Sequence, residues 1–128
     1  MKLNPDCIRD ILLVVESLQN VNHYYRFNSE TIPFLLPNYS MTEVIYHLRQ
    51  CELNGLLLNP SHTMNYEEYT VSDLTPKGHE FLANIRESKI WNGVKEIAGK
   101  VGSSSLDAIT QIASNVIAEL IKAQFGLI

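Results

Sequence analysis

The order of local signals in the middle of this chain constrains its fold more than any other feature. Ser40 followed by Glu43 predicts a helix that starts with a capping box, in which each side chain bonds the backbone N–H of the other residue. Gly55 predicts the end of that helix, because glycine adopts the left-handed conformation of a helix end without steric cost. Thr75 with Pro76 directly after it predicts the start of another helix.

The segment between these two helices has the pattern of a β-hairpin. Leu56–Asn59 and Tyr66–Ser72 have the composition of strands, and the polar residues Pro60–Asn65 between them predict a loop. The expected fold class is therefore α+β, with a two- or three-stranded sheet. Four apolar residues are expected beside that sheet, namely Leu48, Leu56, Phe81 and Ile85.

The N-terminal part begins with a clear helix signal. Asn4 before Pro5 is typical of a helix start, and the apolar residues that follow at helical spacing predict a helix ending near Gln19. Pro33 and Pro37 then oppose helix formation, so Thr31–Leu36 is expected to be a short extended stretch.

Residues Val21–Tyr39 lose the helical period and are rich in aromatic side chains. Tyr24, Tyr25 and Phe27 have two interpretations. Aromatic faces can stack on unpaired bases, or these rings can cover one edge of the core. We favour the core edge, because Arg26 is the only cation that accompanies them.

The C-terminal part is expected to be helical with one interruption. Ile90–Val101 predicts a separate helix, and Gly99–Ser105 predicts a flexible break after it. Ser104 with Asp107 is typical of a further helix start. In that last helix, apolar residues alternate by three and four along one stripe, as Leu106, Ile109, Ala113, Val116, Leu120, Ala123 and Leu127.

This apolar stripe is larger than a free tail would tolerate. One account is a homodimer whose interface comprises Leu106, Ile109, Ala113, Val116 and Leu120. In the other account, the helix folds back on the first helix, where Leu13 and Val14 widen the apolar surface. Residues 1–88 are expected to form the main domain, and residues 89–128 a helical extension for dimerisation or packing.

Charge argues against a surface that holds many phosphates. The 128 residues include 10 Lys and Arg against 14 Asp and Glu, a net charge of -4, with a pI near 5.5. Residues 1–88 carry six of the basic and eleven of the acidic residues, a net of -5, whereas residues 89–128 carry four against three, a net of +1. Nucleic-acid-binding domains are commonly basic, so DNA is possible but disfavoured.

The sequence predicts a cytoplasmic protein with no membrane span. Its apolar runs are far shorter than the roughly 20 residues that cross a bilayer. Cys7 and Cys51 lie on apolar helix faces, and we expect buried free thiols rather than a disulfide.

No sequence motif indicates catalysis. The chain lacks phosphate-binding and dinucleotide-binding glycine patterns, a nucleophile elbow and the His-Glu-x-x-His pair. Its four histidines are scattered singly, whereas metal sites need several ligands in a defined arrangement. We therefore expect a non-enzymatic protein with no cofactor, no metal and no small-molecule substrate.

The central helix ending at Gly55-Leu56, the hairpin loop and the segment Leu74–Leu82 resemble the winged-helix superfamily, with the hairpin as the wing. One departure is that no separate short helix is expected before Ser40. The chain is also similar to a family of uncharacterised bacterial proteins, a domain of unknown function often encoded in prophages and mobile elements. That likeness rests on Tyr46-His47-Leu48, Gly55-Leu56, Leu74-Thr75, Gly78-His79, Ile85-Arg86, Ile90-Trp91-Asn92 and the apolar C-terminal helix.

Two functions remain open on this basis. A transcriptional regulator would place helix 40–54 in the DNA major groove and wing 60–65 on the backbone. A protein-interaction or regulatory module would use the same surfaces for a protein partner, and we place it slightly ahead because of the acidic charge. In both cases the expected contact residues are Tyr46, His47, Arg49, Gln50, His62 and Asn65. The expected partners are a second copy of the chain and another protein.

Overall fold

The computed structural model describes residues 1–18 and 23–126. The chain divides into two compact units, Met1–His79 and Glu80–Ile128. The described helices are α1 (Pro5–Glu16), α2 (Ile32–Leu35), α3 (Met41–Leu53), α4 (Pro76–Ile85), α5 (Ser88–Val101) and α6 (Leu106–Gln124). The described strands are β1 (Tyr25–Phe27), β2 (Leu57–Leu58), β3 (Ser61–His62), β4 (Tyr69–Val71) and β5 (Asp73–Leu74).

The predicted α+β class is confirmed by these helices and small antiparallel sheets. The predicted domain boundary at residue 88 stays a prediction. The predicted end of the first helix near Gln19 is about three residues too late, because α1 ends at Glu16 with Ser17 as its C-cap. Gln19 itself, the start of the aromatic segment at Val21, and Leu127 lie outside the described residues. Within the described part of the chain, no helix combines the length and apolarity that crossing a membrane requires.

Helix α1 starts where its sequence predicts. The side chain of Asn4 accepts a hydrogen bond from the backbone N–H of Asp6 at 3.1 Å, and Pro5 occupies the first helical position, where its missing N–H costs nothing. The buried face of α1 packs on α3. It consists of Cys7, Ile8, Ile11, Leu12 and Val15.

Helix α2 corrects the expected extended stretch at Thr31–Leu36. Pro33 lies in the first turn of this one-turn helix, where backbone N–H groups have no intrahelical partner, so proline removes no hydrogen bond. The Asn28 side chain stabilises the turn that leads into α2, because it accepts hydrogen bonds from the N–H groups of Glu30 and Thr31 at 2.9 and 3.0 Å. A short helix therefore does precede α3.

Helix α3 has the predicted capping box and the predicted end. The Glu43 N–H donates to Ser40 Oγ at 3.1 Å, and the Ser40 N–H donates to the Glu43 carboxylate at 3.4 Å. Gly55 has a φ of +71°, and the next N–H, of Leu56, donates back to the Cys51 carbonyl at 3.0 Å. These contacts close both helix ends with residues near in sequence.

Strands β2 to β5 form one hairpin in a single register. Its four pairs are Leu57 with Leu74, Leu58 with Asp73, Ser61 with Thr70, and His62 with Tyr69. The ladder is interrupted at Asn59, which has a φ of 51°, and at Pro60, which has no N–H to donate. Strand β1 pairs with β4 and completes a three-stranded sheet in the order β1-β4-β3.

The tip of this hairpin lies farther along the chain than the predicted loop Pro60–Asn65. Ser61 and His62 belong to a strand, and the Thr63 N–H donates to the Glu68 carbonyl at 3.0 Å to close a tip at residues 63–68. The predicted loop was wrong by about three residues, because polar residues on the exposed arm of a hairpin resemble loop residues.

Helices α5 and α6 pack on each other in the second unit. Helix α5 includes Gly99 and continues to Val101, so the predicted break at Gly99–Ser105 is too long. Gly102, with a φ of +71°, ends the helix. The N-cap of α6 is Ser105 rather than the predicted Ser104, because Ser105 has the extended backbone of a cap and its Oγ accepts from the N–H of Ala108 at 3.1 Å.

The two cysteines are free and buried, as predicted. Burial raises the pKa of the Cys7 thiol to about 12, and the carboxylates of Glu43 and Asp10 act in the same direction. Burial also raises the pKa of Cys51, with a further contribution from Cys7. Both thiols therefore stay protonated in the folded protein at pH values where an exposed thiol ionises.

This difference predicts a loss of stability at alkaline pH. In the unfolded chain each thiol ionises near pH 9, whereas the folded chain holds its protons, so the unfolded state gains free energy as pH rises above 9. Between pH 9 and 10, the free energy of unfolding should fall by about 1 kcal/mol for each thiol. Chemical denaturation at both pH values measures this fall.

The matched control is the double variant Cys7→Ala, Cys51→Ala. It should be less stable at neutral pH, but the fall in its unfolding free energy between pH 9 and 10 should be shallower. Tyr39 and Tyr69 also have raised pKa values, mainly through desolvation, but their unfolded-state ionisation centres on pH 10. An equally steep fall in the double variant would show that the thiols are not responsible.

Candidate functional site

The candidate site lies where α3 meets the tip of the hairpin. Arg49 is on the exposed side of α3, and its guanidinium donates a hydrogen bond to the hydroxyl of Tyr66. The guanidinium carbon lies 5.5 Å from the centre of the Tyr66 ring, within the range of a cation–π interaction. Arg49, the one cation of α3, is thus held by a tyrosine of the hairpin.

The Tyr66 ring also contacts a histidine. It stacks on the ring of His62, with centroids 4.1 Å apart and planes 14° from parallel. Tyr66 has a φ of 59°, an uncommon backbone conformation for a residue with a side chain. The His62 Nδ1 lies 2.8 Å from the Thr63 carbonyl, so this nitrogen carries the proton and donates.

A second tyrosine, Tyr69, connects the hairpin to α3 directly beside the tip. The Tyr69 hydroxyl donates to the carboxylate of Glu52, and the Tyr69 ring lies 5.5 Å from that of His62. Desolvation raises the pKa of Tyr69, and the bond to Glu52 acts in the same direction. Together these contacts form the α3–hairpin cluster, which consists of Arg49, Glu52, His62, Tyr66 and Tyr69.

The hairpin tip has its own internal support. Thr63 Oγ1 accepts hydrogen bonds from the N–H groups of Glu67 and Glu68 at 2.9 and 3.1 Å. The amide of Asn65 donates to the Glu67 carboxylate at 3.0 Å. The tip therefore presents Tyr66 and Asn65 from an ordered turn.

The structure separates the predicted contact residues into two groups. Arg49 and His62 come together through Tyr66, and Asn65 is exposed beside them in sequence. Tyr46 is half-buried, and its hydroxyl donates to the Met1 carbonyl at 3.1 Å. Gln50 is half-buried.

The expected outward position of His47 is wrong. His47 is fully buried and, apart from the hydroxyl-bearing Tyr69, the cysteines and Trp91 of the core, is the only buried residue with a polar side chain among those described. Its Nε2 accepts from the Asn4 N–H at 2.8 Å, and its Nδ1 lies 2.7 Å from the Glu43 carbonyl, to which it donates. The side chain joins the start of α1 to α3, so its ring nitrogens have no capacity left for a partner.

Three members of the cluster were not recognised from the sequence, namely Glu52, Tyr66 and Tyr69. A correct hairpin register would have indicated two of them. Once the tip is placed at residues 63–68, Tyr69 faces His62 across the ladder, and Tyr66 falls in the turn beside them. No local signal indicates that Glu52 accepts from Tyr69, because the two are 17 residues apart.

A second surface lies on α6, where the dimer interface was predicted. Leu106, Ile109 and Ala113 are buried. The first half of the stripe is therefore already packed inside this chain, and the predicted dimer interface stays a prediction. Val116 is half-buried and Leu120 is 47% exposed. The uncovered part of the stripe is its second half.

The α5–α6 groove is an open apolar concavity of about 500 Å³ beside this second half. Its α5 wall is formed by Ile97, which is 39% exposed. Its α6 wall is formed by Ile112, Asn115, Val116, Glu119 and Leu120. Among residues 1–18 and 23–126, no group of three or more His, Cys, Asp or Glu side chains is arranged to hold a metal ion.

Comparison with known proteins identifies a family. Residues 2–105 match the family described as "Hypothetical protein (DUF2513)". An uncharacterized protein of Haemophilus influenzae is 34% identical over 127 residues, which cover 94% of this chain and 99% of that relative. No solved structure matches the chain. The matched segment comprises most of the chain, including the whole α3–hairpin cluster, and the chain belongs to the DUF2513 family.

Proposed function

We propose that this chain is a non-enzymatic protein-interaction module with a winged-helix-like first unit, in which the α3–hairpin surface engages a protein partner. The setting that the sequence resemblance implies is a bacterial prophage or mobile element, where such a module would have a regulatory role. The observation that carries the proposal is the engagement of Arg49, whose guanidinium donates to the Tyr66 hydroxyl and lies 5.5 Å from the centre of the Tyr66 ring.

The element order supports the winged-helix part of the proposal. A helix, a short strand, two further helices and a hairpin follow one another, and the short strand β1 pairs with the hairpin. The sequence suggested that the short helix before the central helix was missing, but α2 occupies that place. In such an arrangement α3 and the hairpin tip are the surfaces that meet a ligand.

Charge supports a protein partner over DNA for this surface. Arg49 is the only Lys or Arg between Phe27 and Pro76, a span that contains six Asp and Glu. Across residues 1–79 there are five basic and nine acidic residues, a net of -4. A surface that neutralises several phosphates needs several available cations, and this one offers a single cation already engaged by a tyrosine.

Exposed apolar side chains on the same elements support the same conclusion. Leu53, at the end of α3, is 65% exposed, and Met64, at the hairpin tip, is 97% exposed. Leu58 of β2 is also exposed. Protein interfaces are enriched in methionine and aromatic residues and depleted of charge at their centres, and an aromatic, apolar surface with one arginine fits that composition.

A photo-crosslinking residue at Met64 tests the protein-partner proposal. In cells that produce the full chain, this position should give one defined protein adduct, whereas the same residue at exposed Asn38 should not. The Arg49→Ala variant should reduce that adduct at equal chain abundance. Equal adduct patterns at positions 64 and 38 would argue against a specific partner at the hairpin tip.

DNA binding by helix 40–54 and the hairpin tip is the alternative, supported by the same element order. We expect no submicromolar binding of random duplex DNA at physiological salt, measured by fluorescence anisotropy. If binding does occur, Arg49→Ala should weaken it. The slope of log K against log salt concentration should also become shallower by about one unit, because one fewer phosphate is neutralised. Lys77→Ala, an exposed cation outside the cluster, is the control. Tight binding that depends on Arg49 and not on Lys77 would favour the regulator.

A further inference from the structure

The α5–α6 groove has a shape that an α-helix can fill. Ile97 forms one wall, and three aliphatic residues at intervals of four along α6 form the other, namely Ile112, Val116 and Leu120. Side chains four residues apart make a continuous ridge on a helix, and such ridges pack into grooves on neighbouring helices. The occupant that fits is therefore a helix with an aliphatic ridge.

Helix α6 itself carries such a ridge at the border of the groove. Under a two-fold axis, the Ile112–Leu120 ridge of one copy can enter the groove of another while receiving that copy's ridge in return. A two-fold interface requires this kind of self-complementary surface. The pairing joins two helical hairpins into a four-helix arrangement, a common way to cover apolar helix faces.

The charges of the two helices favour the same occupant. Helix α5 carries three lysines against Glu96, a net of +2, and α6 carries Asp107 and Glu119 against Lys122, a net of -1. A second α6 in the groove would lie beside the basic α5 of the receiving copy, and also beside that copy's α6, whose net charge is only -1. Residues 80–128 contain five basic and five acidic residues, whereas residues 1–79 have a net of -4. Copies of the chain therefore repel each other less through the second unit than through the first.

We propose that the α5–α6 groove is covered by α6 of a second copy of this chain, giving a two-fold symmetric dimer. Val116 and Leu120 lie at the centre of the interface, and Ile97 contacts the incoming ridge. Glu119 lies at the polar rim, where it is already paired with Lys122 at 3.3 Å. The proposal goes beyond the proposed function, because it involves none of the α3–hairpin cluster.

The test is the mass of the full chain in solution, measured by light scattering and sedimentation over a range of micromolar concentrations. The unmodified chain should show twice the 14.5 kDa chain mass. Leu120→Glu should raise the dimer dissociation constant by about 100-fold or more, because it would bury an unpaired carboxylate between copies. Circular dichroism establishes whether the variant remains folded.

Ile121→Glu is the matched control. Ile121 is the next residue on α6, is 52% exposed and does not line the groove, so the same chemical change there should leave the dimer intact. Val116→Ala provides a second, milder variant, which should weaken the dimer without introducing a charge. A monomeric unmodified chain at high micromolar concentration would overturn the proposal.

Two other outcomes would also overturn it. Dissociation by Ile121→Glu but not by Leu120→Glu would place the interface on another face of α6. A dimer that resists both Leu120→Glu and Val116→Ala would place it elsewhere on the chain. Neither result bears on the α3–hairpin surface, whose partner is tested separately by crosslinking at position 64.

Discussion

Leu48→Ala is expected to destabilise the protein by about 2 to 5 kcal/mol. Leu48 is fully buried on α3, and truncation of a buried leucine loses the transfer free energy of the removed carbons and leaves a cavity. The neighbouring elements α1 and α3 pack directly on each other, which limits how far the site can close around the loss. The free energy of unfolding from denaturant titration, followed by circular dichroism, measures the effect.

Leu53→Ala on the same helix is the control. Leu53 is exposed at the end of α3, so its truncation should change the free energy of unfolding by no more than about 0.5 kcal/mol. The two variants remove the same atoms from one helix and differ only in burial. An equal, small effect at both positions would contradict the helix phase described for α3.

Gly78→Ala is expected to destabilise the first unit by about 1 to 3 kcal/mol. A Cβ at this position would lie 2.3 Å from the backbone oxygen of Leu56, far inside contact distance. That oxygen already accepts the N–H of Thr75 at 3.0 Å, so moving it away would strain a hydrogen bond at the start of α4. Thermal and chemical denaturation of the variant provide the measurement.

Gly99→Ala should stabilise the protein, in contrast to Gly78→Ala. Gly99 is an exposed residue inside α5, and a Cβ there would meet no atom within 4 Å. Alanine loses less backbone entropy than glycine in a helix, so this variant should be stabilised by about 0.5 to 1 kcal/mol. If both glycine variants were stabilised, the close approach of Gly78 to Leu56 would be incorrect.

The helix starts illustrate what local sequence can predict. The Ser40–Glu43 capping box, the Asn4 cap and the Gly55 stop were all identified correctly. Each depends on residues within a few positions of one another, and the physical requirement is local, either a partner for an end N–H group or a backbone with positive φ. Such signals therefore do not depend on how the rest of the chain packs.

The errors arose where local signals have two outcomes. Prolines suggested an extended stretch before Ser40, but Pro33 sits in the first turn of α2, the one part of a helix that tolerates it. Polar residues suggested a loop at Pro60–Asn65, but His62 belongs to an exposed strand. Pairing with β4 makes His62 part of a strand, and the turn organised by Asn28 leads into α2.

The candidate site divides along the same line. Arg49 and His62 were identified as contact residues because helix period and hairpin pattern place them outward. Their common contact with Tyr66 depends on the register of the hairpin and on its packing against α3. His47 was expected to be outward as well, but the Asn4 N–H, 43 residues away, gives its ring a partner in the core.

The sequence by itself determined the fold class, the ends of the main helices and the excess of apolar surface on the last helix. Those properties follow from periodicity and from contacts between near neighbours. Only the tertiary structure decided that Leu106 and Ile109 are covered by the chain itself while Leu120 is left exposed, and that Arg49 is held by Tyr66. The physical reason is that burial and side-chain pairing depend on which distant elements pack together, and no local pattern contains that information.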